Sequence, residues 1–212
     1  MVQKPKQLRP IVLTLKIHSG WCRGLSLKSP KGLHTRPTSS RTREAIWNSL
    51  LGRIEQADIA DVFCGSGAVG IEGLSRGAAS CWFVEQNRAA LQALEANLRV
   101  LWQRATQADR SVNWTVCQGD AVKALARAAA ERFDIVWLDP PYAQIGTLVE
   151  RIWPEVDRCL RPEGVGILES DEQGAKALTS YLAGTDNSAL LQKQKRYGKT
   201  WVSFVSKSER AL

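Results

Sequence analysis

Metal and disulfide chemistry have little to work with in this chain of 212 residues. It holds only two histidines, His18 and His34, and five cysteines at positions 22, 64, 81, 117 and 159, an odd number with no C-x-x-C pair. No zinc-ligand spacing results, and the cysteines read as reduced and mostly packed. Long apolar runs are also missing. The stretch from Ile11 to Leu15 ends at Lys16, too short for a signal-peptide core or a membrane span, which predicts a soluble cytoplasmic protein. Acids are scarce at one end. Residues 1–56 carry 11 Lys and Arg against Glu44 and Glu55, a net +9, whereas the whole chain is +8, leaving −1 for the other 156 residues. So sharp an asymmetry suggests a basic arm for a polyanion joined to a near-neutral core, although a basic run can also be a merely solvated tail. The 44% hydrophobic content suits one globular domain with a small appendage and excludes disorder, collagen and coiled coil.

What is present falls into two parts, 1–56 and 57–212. In the first, alternation over Ile11–Ile17 and Leu25–Leu27, punctuated by Gly20 and Gly24, predicts a small β-hairpin. A Pro, Gly, Ser and Thr-rich loop follows over Ser29–Ser40, and Ser40 is placed to cap a helix over Arg41–Leu51 with Ala45, Ile46 and Leu50 inward. In the second, apolar runs at Ile59–Phe63, Cys81–Val84, Asn113–Cys117, Ile135–Leu138 and Val165–Leu168 alternate with helical patterns at Arg88–Leu101, Ala121–Ala130, Leu148–Leu160 and Ala175–Leu182. None of these runs is cleanly amphipathic. Such strands suit a parallel sheet covered on both faces, a doubly wound α/β architecture. Leu190–Tyr197 and Trp201–Val205, separated by too few residues for a crossover helix, must pair antiparallel at an edge.

The sharpest local chemistry begins at Asp61-Val62-Phe63-Cys64-Gly65-Ser66-Gly67-Ala68-Val69-Gly70, a strand entering a glycine loop and then a helix. Glycines let backbone approach a ligand, and the helix start offers free N–H groups. Twenty residues after Gly65, at the end of the next strand, Glu85 can accept hydrogen bonds from ribose hydroxyls. NAD and S-adenosylmethionine fit these features equally well, and a bare glycine motif can also be only a tight turn. Asp120 follows the third strand, where its carboxylate can reach the amino edge of an adenine, or can simply cap the next helix. After the fourth strand comes Asp139-Pro140-Pro141-Tyr142. Two prolines stiffen the segment and remove two donors, so its carbonyls are left as acceptors. The Asp139 carboxylate and a carbonyl of the segment can pair as acceptors for an exocyclic NH2, with Tyr142 as a stacking face, although such a segment can also be only a proline-stiffened loop with a capping Asp. A base amino group is a poor nucleophile, and acceptors on both N–H bonds return electron density to its nitrogen. A dehydrogenase leaves this segment unexplained.

With these motifs the chain resembles the RsmD family, bacterial 16S ribosomal RNA methyltransferases that use S-adenosylmethionine on a guanine 2-amino group. The resemblance runs from about Leu15 to Phe204, through Gly20-Trp21-Cys22-Arg23-Gly24, Arg36-Pro37-Thr38, Arg41-Thr42-Arg43-Glu44, the glycine loop, Asp139–Tyr142 and Arg196-Tyr197-Gly198. Ser19, Ser40 and Cys64 depart from the family's usual Gly, Asp and Ala. It implies a class I, Rossmann-like seven-stranded methyltransferase sheet with an N-terminal hairpin extension. Gly65 and Gly67, continuing from Asp61, would lie beside the methionine part of the donor, with Glu85 on its ribose and Asp120 near its adenine. Asp139, Pro140 and Tyr142 would hold a flipped guanine. Thr38 and Arg41 would line the approach to the cofactor, and Arg23, Arg36 and Arg43 would meet RNA. The implied partner is 16S rRNA in the small subunit or a late assembly intermediate, met by a monomer. Methylation of adenine in DNA, an NAD-dependent dehydrogenase and a noncatalytic RNA-binding protein are the competing readings. The Arg36–Glu44 block argues against the first.

Overall fold

In a computed structural model, residues 15–30, 40–184 and 189–207 are described. The described residues begin with a two-stranded antiparallel hairpin, β1 (Leu15–Lys16) and β2 (Ser26–Leu27), and continue with helix α1 (Ser40–Ser49). Strand and helix then alternate through β3 (Asp58–Val62), α2 (Ala68–Ser75), β4 (Ser80–Glu85), α3 (Arg88–Gln107), β5 (Asn113–Gln118), α4 (Ala121–Arg127) and β6 (Phe133–Leu138). A short 3-10 turn at Tyr142–Gln144 leads into α5 (Ile145–Cys159), then β7 (Leu160–Ser170), α6 (Glu172–Ala183), β8 (Leu190–Tyr197) and β9 (Thr200–Ser206).

The seven long strands form one sheet in the order β5-β4-β3-β6-β7-β9-β8. Strands β3 to β7 are parallel, and β9 runs antiparallel to both neighbours. Gly198, at φ 63°, makes the tight reversal between β8 and β9. From β3 the chain first winds outward through β4 and β5, then returns to place β6 on the other side of β3. Ligands of open α/β sheets bind at the carboxyl ends of strands flanking such a reversal.

Both faces of the sheet are covered, which explains the continuous apolar strands. Ile59, Phe83 and Trp137 pack with α1, α2, α3 and the hairpin, while Val62, Val136 and Leu138 pack with α4, α5 and α6. Trp47 of α1 lies against Trp137 with ring centroids 5.1 Å apart, a contact worth about 1 kcal/mol beyond its buried area. Trp47, rather than the half-buried Ala45, is the inward anchor of α1 beside Ile46, and the helix starts at Ser40 itself. Helix α3 runs on past the expected end at Leu101 to Gln107. Helix α4 stops at Arg127, earlier than its alanine run suggests, because the Arg158 guanidinium binds the carbonyls of Leu125 and Ala128 at 2.7 and 2.8 Å.

The hairpin docks on the end of α2. Trp21 N–H donates to the Ser75 carbonyl and Trp21 Nε1 to that of Leu74, so carbonyls left over at the helix end gain partners. A Cβ at Gly20 would sit 1.8 Å from the Ser75 carbonyl oxygen, so only glycine permits this approach. Ile17, Cys22, Leu25 and Leu27 enter the same core as β3 and β4. No helix among the described residues is long and apolar enough to cross a membrane.

Candidate active site

Two loops meet at the reversal of strand order. One leaves β3 and carries the glycines; the other leaves β6 and carries Asp139. They are tied where Asp139 N–H points to the Val62 carbonyl at 3.4 Å.

The glycine loop is held from several sides. Phe63 adopts φ 64°, an uncommon left-handed conformation for an aromatic residue that costs on the order of 1–3 kcal/mol and marks functional turns. Gly65, at φ 56°, faces open space where a Cβ would project, as a close approach by a ligand requires. Gly67, at φ 80°, starts α2 and instead packs so tightly that a Cβ would lie 2.3 Å from Leu94 Cδ1. The buried Asp61 accepts from Gly70 N–H at 2.8 Å, fixing the first turn of α2. Burial, with the Asp139 and Glu85 charges adding to it against the Gly70 hydrogen bond, pushes the Asp61 carboxyl up to about 7. Asp61 therefore acts under the loop and has no exposed face to offer a cofactor.

Glu85 closes the loop from β4. Its Oε2 accepts Gly65 N–H at 2.9 Å, and its Oε1 accepts Gln86 and Asn87 N–H at 2.9 and 2.7 Å. A carboxylate has about four lone-pair sites, so one remains on Oε2 for a ribose hydroxyl. Asp120 caps α4 through Oδ1 to Lys123 N–H at 3.0 Å. Capping and adenine recognition are compatible, since the second carboxylate oxygen is not the one used by the cap. Open space before Gly65, flanked by these acids, fits a nucleoside-bearing donor.

The second loop is differently made. Pro140 is buried and Pro141 exposed, and the Pro141 carbonyl accepts from Gln144 N–H at 3.0 Å. The expectation that both proline carbonyls stay available is thus corrected: the 3-10 turn consumes one. Among the described residues none donates to the Pro140 carbonyl, which remains the acceptor beside Asp139. Tyr142 is 37% exposed, and its hydroxyl lies 3.1 Å from Thr200 Oγ1.

Of the residues expected to meet RNA, Arg23 is exposed and Arg36 lies outside the described residues; of those expected on the cofactor approach, Arg41 is exposed and Thr38 lies outside the described residues. Arg43 is a correction. It is only 2% exposed, and its guanidinium donates to the Lys16 carbonyl at 3.0 Å, so it braces the hairpin against α1 and cannot reach a phosphate. Burial pulls its pKa down, opposed by the carboxylates of Glu72, Glu169 and Asp61.

Three positioning residues escaped the sequence reading. The buried Asn97 donates to the carbonyls of Ser66 and Lys28 and accepts Lys28 N–H, joining the glycine loop to the hairpin. Its signal was a lone amide within the leucine stripe of α3. The fully buried Glu72 accepts His18 and Ser19 N–H and pairs with Arg76. Thr200 has no local signature, since only the β8–β9 turn brings it to Tyr142.

Comparison with known proteins agrees with this fold. The fold superposes on the solved "Putative methyltransferase yhhF" of Escherichia coli with a TM-score of 0.73 at 28% identity, covering 93% of this chain and 99% of that one. Sheet order, glycine loop and Asp-Pro-Pro-Tyr segment thus define a Rossmann-like methyltransferase. Residues 15–206 match the family model described as Conserved hypothetical protein 95. Relatives include the "Putative rRNA methyltransferase YlbH" of Bacillus subtilis, 31% identical over 91% of this chain and 99% of that protein. They also include ribosomal RNA small subunit methyltransferase D of Escherichia coli K12, 37% identical over 65% of each chain. The chain belongs to this family, that of the RsmD methyltransferases.

Proposed function

We propose that the protein methylates the exocyclic 2-amino group of a guanine in small-subunit ribosomal RNA, with S-adenosylmethionine as donor. The observation that carries this reading is the convergence of two unlike loops at one reversal of strand order. The glycine loop with Glu85 offers a nucleoside cradle, and Asp139 with the Pro140 carbonyl offers acceptors for an NH2 group beside an exposed aromatic ring. When bound, the donor supplies an electrophilic methyl group.

The chain's own residues do the rest. Asp139 and the Pro140 carbonyl accept the two amino N–H bonds, aim the nitrogen lone pair and stabilise the positive charge that grows on that nitrogen as it attacks. Tyr142 stacks on the extruded base, and Thr200 holds its hydroxyl. Residues 1–56 serve as the RNA-facing part through Arg23 and Arg36, and Arg41 with Thr38 lines the cofactor approach. The substrate is 16S rRNA in the small subunit or a late assembly intermediate; the relatives' names support small-subunit ribosomal RNA as its class.

Transfer of labelled methyl from S-adenosylmethionine to small subunits lacking the modification, with the modified base mapped, tests the reading. It expects one guanine methylated at N2. Label on another base, or on DNA in preference to RNA, would overturn it.

A further inference from the structure

The −1 net charge of residues 57–212 hides a second basic feature, at the opposite end of the chain from the N-terminal arm. Between Ala189 and Lys207 there are five cations, Lys193, Lys195, Arg196, Lys199 and Lys207, and no acid. All but the last lie on the edge strand β8 or in the β8–β9 turn. Among the described residues none of these cations pairs with a carboxylate.

The register places them purposefully. A pairing irregularity between Leu191 and Lys193 shifts the strand, so Leu191 packs with the α6-side cluster while Lys193 lies 5.6 Å over the Phe204 ring, whose side belongs to the opposite face. Residues two apart on a strand share a face, so Lys193, Lys195 and Tyr197 form one row on the hairpin and α1 side of the sheet. Gln194, between the two lysines, turns the other way to the Ala175 carbonyl and Thr179 of α6. The Lys193 ammonium sits below its ordinary pKa, first through desolvation and then through Lys195 beside it. Two neighbouring ammoniums without a counter-charge are an arrangement that an anion relieves.

The row also leads to the active site. Tyr197 pairs with Thr200 across the turn, Lys199 stands exposed between them, and Thr200 Oγ1 meets the Tyr142 hydroxyl. The turn lies at the same end of the sheet as the Asp139 loop, because Ser170 at the carboxyl end of β7 pairs with Trp201.

We propose that Lys193, Lys195 and Lys199 form a phosphate-binding track for the RNA strand that carries the target base, delivering that base to Tyr142. The proposal rests on the rRNA-methyltransferase reading. The partner is a nucleic-acid backbone because two cations along β8 and a third in the turn that follows lead toward a ring suited to stacking a base, which combines the two elements of single-strand recognition.

The test compares wild type, Lys195→Gln/Lys199→Gln and a charge-matched control, Arg127→Gln/Arg151→Gln, whose exposed arginines lie on α4 and α5 across the sheet. Affinity for a small-subunit rRNA transcript is measured as salt rises, together with kcat and KM for methyl transfer. The double lysine variant is expected to bind about fivefold to tenfold more weakly, with the slope of log affinity on log salt reduced by about 0.7 for each lost contact. Its KM should rise with kcat retained, and the control should match wild type. Wild-type affinity, slope and KM in the lysine variant would overturn the track and leave the methyltransferase reading standing. Equal weakening in the control would overturn it too, reducing the effect to net charge. Loss of binding to anionic lipid vesicles with RNA binding intact would assign the row to a membrane surface instead. Failure of wild type to methylate any RNA would remove both the track and the reading beneath it.

Discussion

The two loops that meet at the active site are built on opposite principles. The one after β3 is fixed by the fold: Asp61, Glu85 and Asn97 bind its backbone from beneath, beside and behind, and Gly67 is wedged against Leu94. The one after β6 is held by proline stiffness, one turn hydrogen bond, the long tie from Asp139 N–H to the Val62 carbonyl and the Tyr142–Thr200 contact at its tip. The difference suits their tasks. A donor pocket gains from preorganised backbone, whereas a loop that receives a base from a large RNA must present its acceptors at the surface. The contrast predicts that damage to the first loop appears as lost donor affinity or stability and damage to the second as lost turnover.

The largest effect is expected at Asp139. Asp139→Ala should slow methyl transfer about a hundredfold to a thousandfold, the usual cost of removing one preorganised electrostatic partner. Asp139→Asn keeps an acceptor oxygen without the charge, so its residual single-turnover rate separates geometry from electrostatics.

Next comes Asp61, whose folded-state carboxyl is pushed up to about 7. Between its unfolded pKa and that value the native state binds more protons than the unfolded state. Its contribution is therefore most favourable at low pH and is lost as pH rises toward neutrality, a change of a few kcal/mol. Asp61→Asn keeps an acceptor for Gly70 N–H and should flatten the fall in stability between about pH 4 and pH 7, read from denaturant midpoints. An unchanged pH slope would show that Asp61 is not the group responsible.

Glu85→Gln should weaken donor binding by about 1.5–3 kcal/mol, because charge-assisted hydrogen bonds to the loop and to ribose become ordinary ones or are lost. The smallest effect belongs to Tyr142→Phe, which removes only the hydroxyl to Thr200 and should retain most activity. Tyr142→Ala, losing the stacking face, should cost about 1–3 kcal/mol of base binding in a KM measurement.

The sequence made the donor side readable because strand, glycine loop and acid recur at local spacing. Gly65, Glu85 and Asp139 sit at the strand ends where pattern alone puts them, and the β8–β9 reversal follows from the two residues between the strands. What escaped depends on contacts made far along the chain. Arg43 reads as a surface cation within a basic run, and only the docked hairpin, 27 residues away at Lys16, turns it into a buried strut. Thr200 lies 58 residues from Tyr142. Asn97 holds backbone 31 and 69 residues away, so no local pattern could announce its role. Trp47 lost its place on the expected helix face to Ala45 because the partner Trp137 was not assignable before the sheet was assembled.

Donor affinity by calorimetry and single-turnover methyl transfer at saturating donor, measured on the same preparations of Asp139→Ala and Glu85→Gln, test the division between the loops most directly. The account predicts a crossing: Asp139→Ala binds donor like wild type and transfers methyl slowly, while Glu85→Gln binds donor weakly and, once saturated, transfers at close to the wild-type rate. Affinity and rate falling together in both variants would contradict it, leaving the two loops as a single undivided site.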